Sequence, residues 1–148
     1  MNLIKNLKRK GIILVMNSCL LAIFLLLGGC SISNNRIVLV RIFYLPEDLS
    51  VMTPIDDCTK IFYYTDILKD TVINDLAFIK SFDKKIKGLK LSEIQNTSYD
   101  LRIRCVIKMQ NGDKKILCLG EFFDTVYEGQ LFNDDQELFK QIKNVVYN

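Results

Sequence analysis

The spacing of apolar residues separates the elements of this chain. From Leu101 to Met109 apolar side chains fall on every second residue (Leu101, Ile103, Cys105, Ile107, Met109), with Arg102, Arg104, Val106 and Lys108 between them. A period of two with one greasy face predicts a strand covered on one side. Asn111-Gly112 follows, the dipeptide best suited to a two-residue hairpin loop. Ile116 and Cys118 then alternate with Leu117 and Leu119. A two-residue loop places Cys105 opposite Cys118, Ile107 opposite Ile116 and Arg102 opposite Glu121, and sets both cysteines on the apolar face. Ile37–Leu45 is instead a continuous apolar run with Arg41 at its centre, stopped by Pro46. Such a run suits a central strand covered on both faces.

Other segments are read by the same means. Lys60–Tyr64 (KIFYY) is a second strand candidate, after a loop over 47–57. Asp66–Ile86 has helical spacing, with Leu68, Val72, Leu76, Ile79 and Ile86 mostly on one stripe and Phe82 beside it. Asp70 or Thr71 is its expected cap, and Gly88 its expected terminator. Asp124–Phe132 reads as a further strand or a tight hairpin turning at Glu128-Gly129. Leu138, Phe139, Ile142, Val145 and Val146 form the stripe of a closing helix that Asn133 or Asp134 caps. The order ββαβββα predicts an α+β domain, a mainly antiparallel sheet with two helices on one face.

Ahead of this domain the pattern changes. MNLIKNLKRKG carries Lys5, Lys8, Arg9 and Lys10, the apolar run Ile12–Leu27 follows, and Gly28-Gly29-Cys30 ends it. A basic flank, an apolar core and small residues before a cut site read as a secretory signal. The run is interrupted by Asn17-Ser18 and is shorter than the ~20 residues that span a bilayer comfortably. Leu27-Gly28-Gly29-Cys30 resembles the lipobox of bacterial lipoproteins. The resemblance implies that residues 1–29 are removed, that Cys30 takes a diacylglyceryl group on its thiol, and that its new amine is acylated in turn. Residues 30–36 then form a short polar tether, and 37–148 a single small domain. No acid follows Cys30; in enteric lipoproteins an Asp there resembles an inner-membrane retention signal. The expected location is therefore the exported side of a bacterial membrane, with a lean toward the periplasmic face of an outer membrane.

Charge changes when the leader is set aside. The whole chain carries 20 Lys+Arg against 17 Asp+Glu, a net +3, but the leader holds four of those cations and no acid. The remainder has 16 against 17, so the basicity does not belong to the domain and does not argue for nucleic acid.

The candidate chemistry is sparse. There is no histidine, which removes Ser-His-Asp and Cys-His catalysis and the usual imidazole zinc sites. No CxxC, GxGxxG, P-loop or nucleophile-elbow pattern occurs, so no catalytic residue, cofactor or metal is assigned. Cys58, Cys105 and Cys118 remain after Cys19 leaves with the leader. Exported proteins form disulfides, and the hairpin register offers a Cys105–Cys118 bridge; the alternative is a pair of reduced core thiols. Cys58 is then unpaired and either buried or reactive. Asp56-Asp57 could meet a cation, and Asp134-Asp135 suits a helix N-terminus. Lys80, Lys84, Lys85, Lys87 and Lys90 form a basic cluster, read either as a solvated helix end or as a contact for anionic headgroups or an acidic partner. Arg41 must reach water or meet an acid, and an outward Tyr63 could anchor an interface. These residues point to a lipid-anchored, non-catalytic binding domain of the cell envelope with a protein partner. A structural accessory subunit, or an enzyme using carboxylates or Cys58, are the alternatives.

Overall fold

The computed structural model describes residues 35–94, 99–120 and 124–147. The leader, Cys30, and the proposed partner position Glu121 lie outside them. Six strands form one antiparallel sheet: β1 (Ile37–Tyr44), β2 (Lys69–Ile73), β3 (Leu101–Met109), β4 (Lys114–Gly120), β5 (Thr125–Tyr127) and β6 (Gln130–Phe132). Their order across the sheet is β2-β1-β3-β4-β5-β6. Helices α1 (Leu76–Gly88) and α2 (Gln136–Val146) complete the α+β domain. A 3-10 helix, Lys60–Tyr64, sits between β1 and β2.

Both helices cover one face. Ile79, Phe82 and Ile86 of α1 and Leu138, Ile142 and Val146 of α2 are buried together with Val40, Ile42, Ile103, Cys105, Ile107, Leu117 and Leu119 of the central strands. Each such side chain adds about 1.5–3 kcal/mol by leaving water. Polar groups fix how the helices lie: Lys85 Nζ of α1 donates to the Glu137 carbonyl and to Gln141 Oε1 of α2, both at 2.9 Å, and Gln141 Nε2 donates to the Phe78 carbonyl at 3.2 Å. The opposite face has its own smaller core, Leu45, Ile55, Ile61, Leu101, Cys118, Val126 and Leu131. The segment around the 3-10 helix covers it.

Three elements differ from the expectations above. Lys60–Tyr64 is not a strand. The Asp57 carboxylate accepts from the Thr59 amide and hydroxyl, both at 2.6 Å, and the Lys60 amide donates to the Asp57 carbonyl at 2.9 Å. This local side-chain bonding starts a tight turn that overrides the strand preference of Ile-Phe-Tyr-Tyr. Residues 69–73 are an edge strand rather than the first turns of a helix. The helix begins after Asp75, whose carboxylate accepts from the Phe78 amide at 2.7 Å. Leu68 and Val72 happen to continue the helical phase, which hid the β-branched stretch Thr71-Val72-Ile73 and the true cap. β1, finally, is covered fully only on its helix side; Arg41 is exposed on the other, and Phe43 is half-buried there.

The β3–β4 register is the correction with most consequence. Arg104 pairs with Cys118, Val106 with Ile116 and Lys108 with Lys114, one residue away from the expected alignment. The loop has three residues, Gln110-Asn111-Gly112. The Gly112 amide donates to the Met109 carbonyl at 3.0 Å, the Met109 amide to the Asp113 carbonyl at 2.8 Å, and Gly112 sits at φ 93°. This is the three-residue hairpin with a left-handed third position. A slip of one residue turns a strand's side chains to the other face, so Cys105 and Cys118 face opposite sides of the sheet.

Candidate interaction face

On the face away from the helices, arginines and aromatic rings alternate. Arg41 on β1 and Arg104 on β3 point to this face, as does Phe43, which pairs with Arg104 across the strands. Phe62 comes down from the 3-10 helix and meets Phe43 edge-on, with centroids 5.1 Å apart. The Arg41 guanidinium lies 4.7 Å from the Phe43 ring centre and that of Arg104 lies 5.3 Å from Phe62. Each ring face attracts the cation above it. Arg41 also donates to Asp70 at 2.7 Å, so it meets both an acid and water. Partial burial lowers the Arg104 pKa against the opposing pull of Asp57.

Tyr63 stands outward next to this ladder at 80% exposure, and Met52 is fully exposed. The 3-10 turn explains it: in a strand, neighbours alternate between two faces, whereas here Ile61 is buried and Tyr64, three positions on, packs against the same core, leaving Tyr63 between them turned outward. Phe43, Phe62 and Arg104 were not singled out in the sequence. Arg104 is marked only by its place in an alternating strand, and Phe62 owes its position to a 3-10 turn that the strand-like run Ile-Phe-Tyr-Tyr conceals.

The thiols are arranged differently from expectation. Cys118 is bonded to Cys58, with Cα atoms 6.0 Å apart, and Cys105 is free and buried. The expected Cys105–Cys118 bridge is thereby overturned, and Cys58 is not an unpaired thiol. The register is the physical reason: Cys105 lies among the helix-side core, while Cys118 faces the loop that carries Cys58. Burial drives the Cys105 thiol pKa far above its ordinary value, so Cys105 presents no nucleophilic thiolate.

The disulfide lines a cleft of about 240 Å³ with Asp56, Asp57, Tyr99, Leu101 and Val126. This is smaller than the ~300–1,000 Å³ usual for a small-molecule site. Asp56 is held below the ordinary carboxylate range by its bond from Lys60, and Asp57 by those from Thr59. Neither is a proton donor near neutrality, so the two do not form the split acid–base pair that carboxylate catalysis uses. Among the described residues no cluster of three or more metal-ligating side chains occurs.

The lysines of α1 are dispersed. Lys85 is occupied between the helices, Lys87 pairs with Asp83, and Lys84 is exposed. Asp135 caps α2, accepting from the Glu137 and Leu138 amides at 2.9 Å, and Asp134 accepts from the Thr125 hydroxyl at 3.3 Å. No family model, curated protein or solved structure matches this chain.

Proposed function

We propose that this chain is an exported lipoprotein whose domain, held at a membrane by acyl chains on Cys30, binds a protein partner through the arginine–aromatic face. The observation that carries the reading is the Cys58–Cys118 disulfide. Structural disulfides persist in oxidising compartments and are rare where glutathione keeps thiols reduced. A bonded pair in the folded domain therefore supports the export that the leader implies. Two or more acyl chains, at about 0.8 kcal/mol per buried CH₂, are enough for stable anchoring.

The binding part of the reading rests on composition of the surface. Aromatic residues and Arg dominate the energetic centres of protein interfaces, and here Arg41, Phe43, Phe62, Tyr63 and Arg104 share one side. The small cleft beside them favours a broad contact over an enclosed small ligand.

Two measurements test the reading. The mass of the mature chain should show Cys30 as an acylated N-terminus, and Cys30→Ser should release the protein from the membrane fraction. Affinity capture from solubilised envelope should retrieve one partner reproducibly, and Tyr63→Ala should lose it. An unmodified, full-length chain sinks the anchor; capture indifferent to Tyr63, Phe62 and Arg41 together sinks the face.

A further inference from the structure

We infer that the end of the sheet at which β1 begins is a membrane-apposed surface, where Arg36, Lys80, Lys108 and Lys114 meet anionic lipid headgroups and Val38 and Leu76 rest against the interface. The inference depends on the lipid-anchor reading above and extends it to an orientation of the domain. Four observations carry it.

The first is reach. Arg36 lies six positions beyond Cys30, and an extended chain spans at most about 3.5 Å per step, or ~21 Å. The eight residues of β1 then run ~26 Å further, at ~3.3 Å each, to the other end of the sheet. The Ile37 end is thus the one the anchor holds close.

The second is which side chains gather there. Arg36, Leu76 and Lys80 line one cleft with Ile37. The Gln110 amide donates to the Arg36 carbonyl at 2.8 Å, so the β3–β4 hairpin stands at the same end. Lys108 and Lys114 face each other on its last rungs. Lys80 lies on the helix side of the sheet and the Lys108–Lys114 pair on the other, so cations border the end on both sides. Leu76 is 64% exposed and Val38 39%. Val38 owes its position to the irregular pairing between Ile37 and Leu39.

The third is unfavourable charge. Like charges directly opposite on neighbouring strands destabilise a sheet, and Lys108 faces Lys114. Among the described residues none of the four cations forms an ion pair. Of the neighbouring acids, Asp83 is paired with Lys87, while Asp75, which caps α1, and Asp113, which accepts from Asn111, keep their charge, so four cations stand against two carboxylates. An anionic surface would relieve the repulsion.

The fourth is polarity along the strands. At the opposite end, next to where β1 and β4 end and β3 and β5 begin, Glu47 and Asp100 are paired with Lys143 and Arg102, and Asp124 and Asp134 stand close enough to repel each other. A domain with an excess of cations at its tethered end and an excess of carboxylates at the other is turned by an anionic bilayer with the cations inward. The attraction acts within a Debye length, about 10 Å at 0.1 M salt, and each lysine near the surface contributes roughly a fivefold preference.

The experiment uses the full acylated protein on preformed vesicles, with a brief pulse of a membrane-impermeant amine-acylating reagent and lysine-by-lysine readout by mass spectrometry. On vesicles of phosphatidylglycerol and phosphatidylethanolamine, Lys80, Lys108 and Lys114 should label at least fivefold more slowly than on phosphatidylcholine. Lys69 and Lys143, toward the far end, should change less than twofold, and 1 M salt should erase the difference. Flotation with the vesicles is scored alongside. Protein that floats yet labels equally on both lipids overturns the orientation and leaves the anchor standing. Protection at Lys69 and Lys143 also overturns it. Protection that persists in detergent and grows with protein concentration assigns the surface to a second copy and overturns the lipid. Protein without an acyl mass that fails to float removes the anchor, and this inference with it.

Discussion

Cys58 and Cys118, 60 residues apart in sequence, are joined on the face of the sheet that carries no α-helix. The bond clips the 3-10 segment onto β4, adding a covalent link to the modest core of Leu45, Ile55, Ile61 and Leu131, the Phe62 ring contacts and the Leu101 amide's bond to the Ile55 carbonyl. Closing a loop of that length removes denatured-state entropy worth about 4 kcal/mol in the chain-entropy model, less any native strain. Cys58→Ser with Cys118→Ser is expected to lower the unfolding free energy by about 2–4 kcal/mol, read from urea midpoints. Peptide mapping without reductant should yield the 58–118 linkage, and Cys105 should resist alkylation until the chain unfolds. A mapped 105–118 linkage would contradict the register.

The hairpin that separates these cysteines depends on one backbone position. Gly112 sits at φ 93°, and a Cβ built there meets nothing within 4 Å. Alanine would therefore fit sterically into open space and still suffer the left-handed backbone, at about 1–2 kcal/mol. Gly88, at the last residue of α1, is also surrounded by open space, but without a positive φ. Gly88→Ala is expected to gain about 0.5 kcal/mol by restricting the unfolded chain. Opposite signs in matched urea titrations of the two variants check the assignment; equal losses would argue against it.

These two sites also show what pattern alone can reveal. Alternation located β3 and β4, and helical spacing located α2 and most of α1, because each buries one face and the periods differ. The same patterns are silent about loop length. Asn111-Gly112 fits both a two-residue and a three-residue loop, and the choice moved Cys118 to the other face. Asp57 and Asp75 acted through their carboxylates on nearby amides, short-range chemistry that a count of apolar spacing passes over. The arginine–aromatic face was half legible: Tyr63 and Arg41 stood out as misfits in apolar runs. Phe62 and Arg104 became partners only through a turn and a register that tertiary contacts select. For Asp124–Phe132 the sequence leaves a strand or a hairpin open, and the structure takes the hairpin at Glu128-Gly129, where both residues have positive φ, 50° and 78°, as a tight two-residue loop demands.

Phe62 and Tyr63 are neighbours with different work. Phe62 packs edge-on against Phe43 beneath the Arg104 guanidinium, whereas Tyr63 is 80% exposed. Phe62→Ala is expected to cost about 1–2 kcal/mol of stability through lost ring packing and cation–π attraction. Tyr63→Ala should stay within about 0.5 kcal/mol of the parent, as exposed substitutions do. Thermal melts of the two variants give the comparison. Under the proposed function, Tyr63→Ala still loses the captured partner, so a stable, non-binding variant is the informative outcome.

Asp124 carries a charge that the fold disfavours. Burial raises its pKa first, and repulsion from Asp134 adds to it. A folded-state pKa above the unfolded value means that the folded chain holds its proton to higher pH. The penalty is therefore complete above the folded pKa and is relieved as pH falls through it toward the ordinary 3.8. Asp124→Asn removes the charge and keeps an acceptor, and asparagine tolerates the φ of 71° found there. The variant is expected to be more stable at pH 7 by a few tenths of a kcal/mol, small because the group is only partly buried and solvent screens it. Below pH 3.8 the difference should vanish. Asp57 has the opposite sign: its depressed pKa adds stability above the ordinary value that is lost as pH falls below it, so Asp57→Asn should weaken the protein at pH 7 and match it in acid. Melting temperatures of both variants from pH 3 to pH 7 decide the matter, and curves that run parallel to the parent's across that range would show that neither carboxylate is shifted.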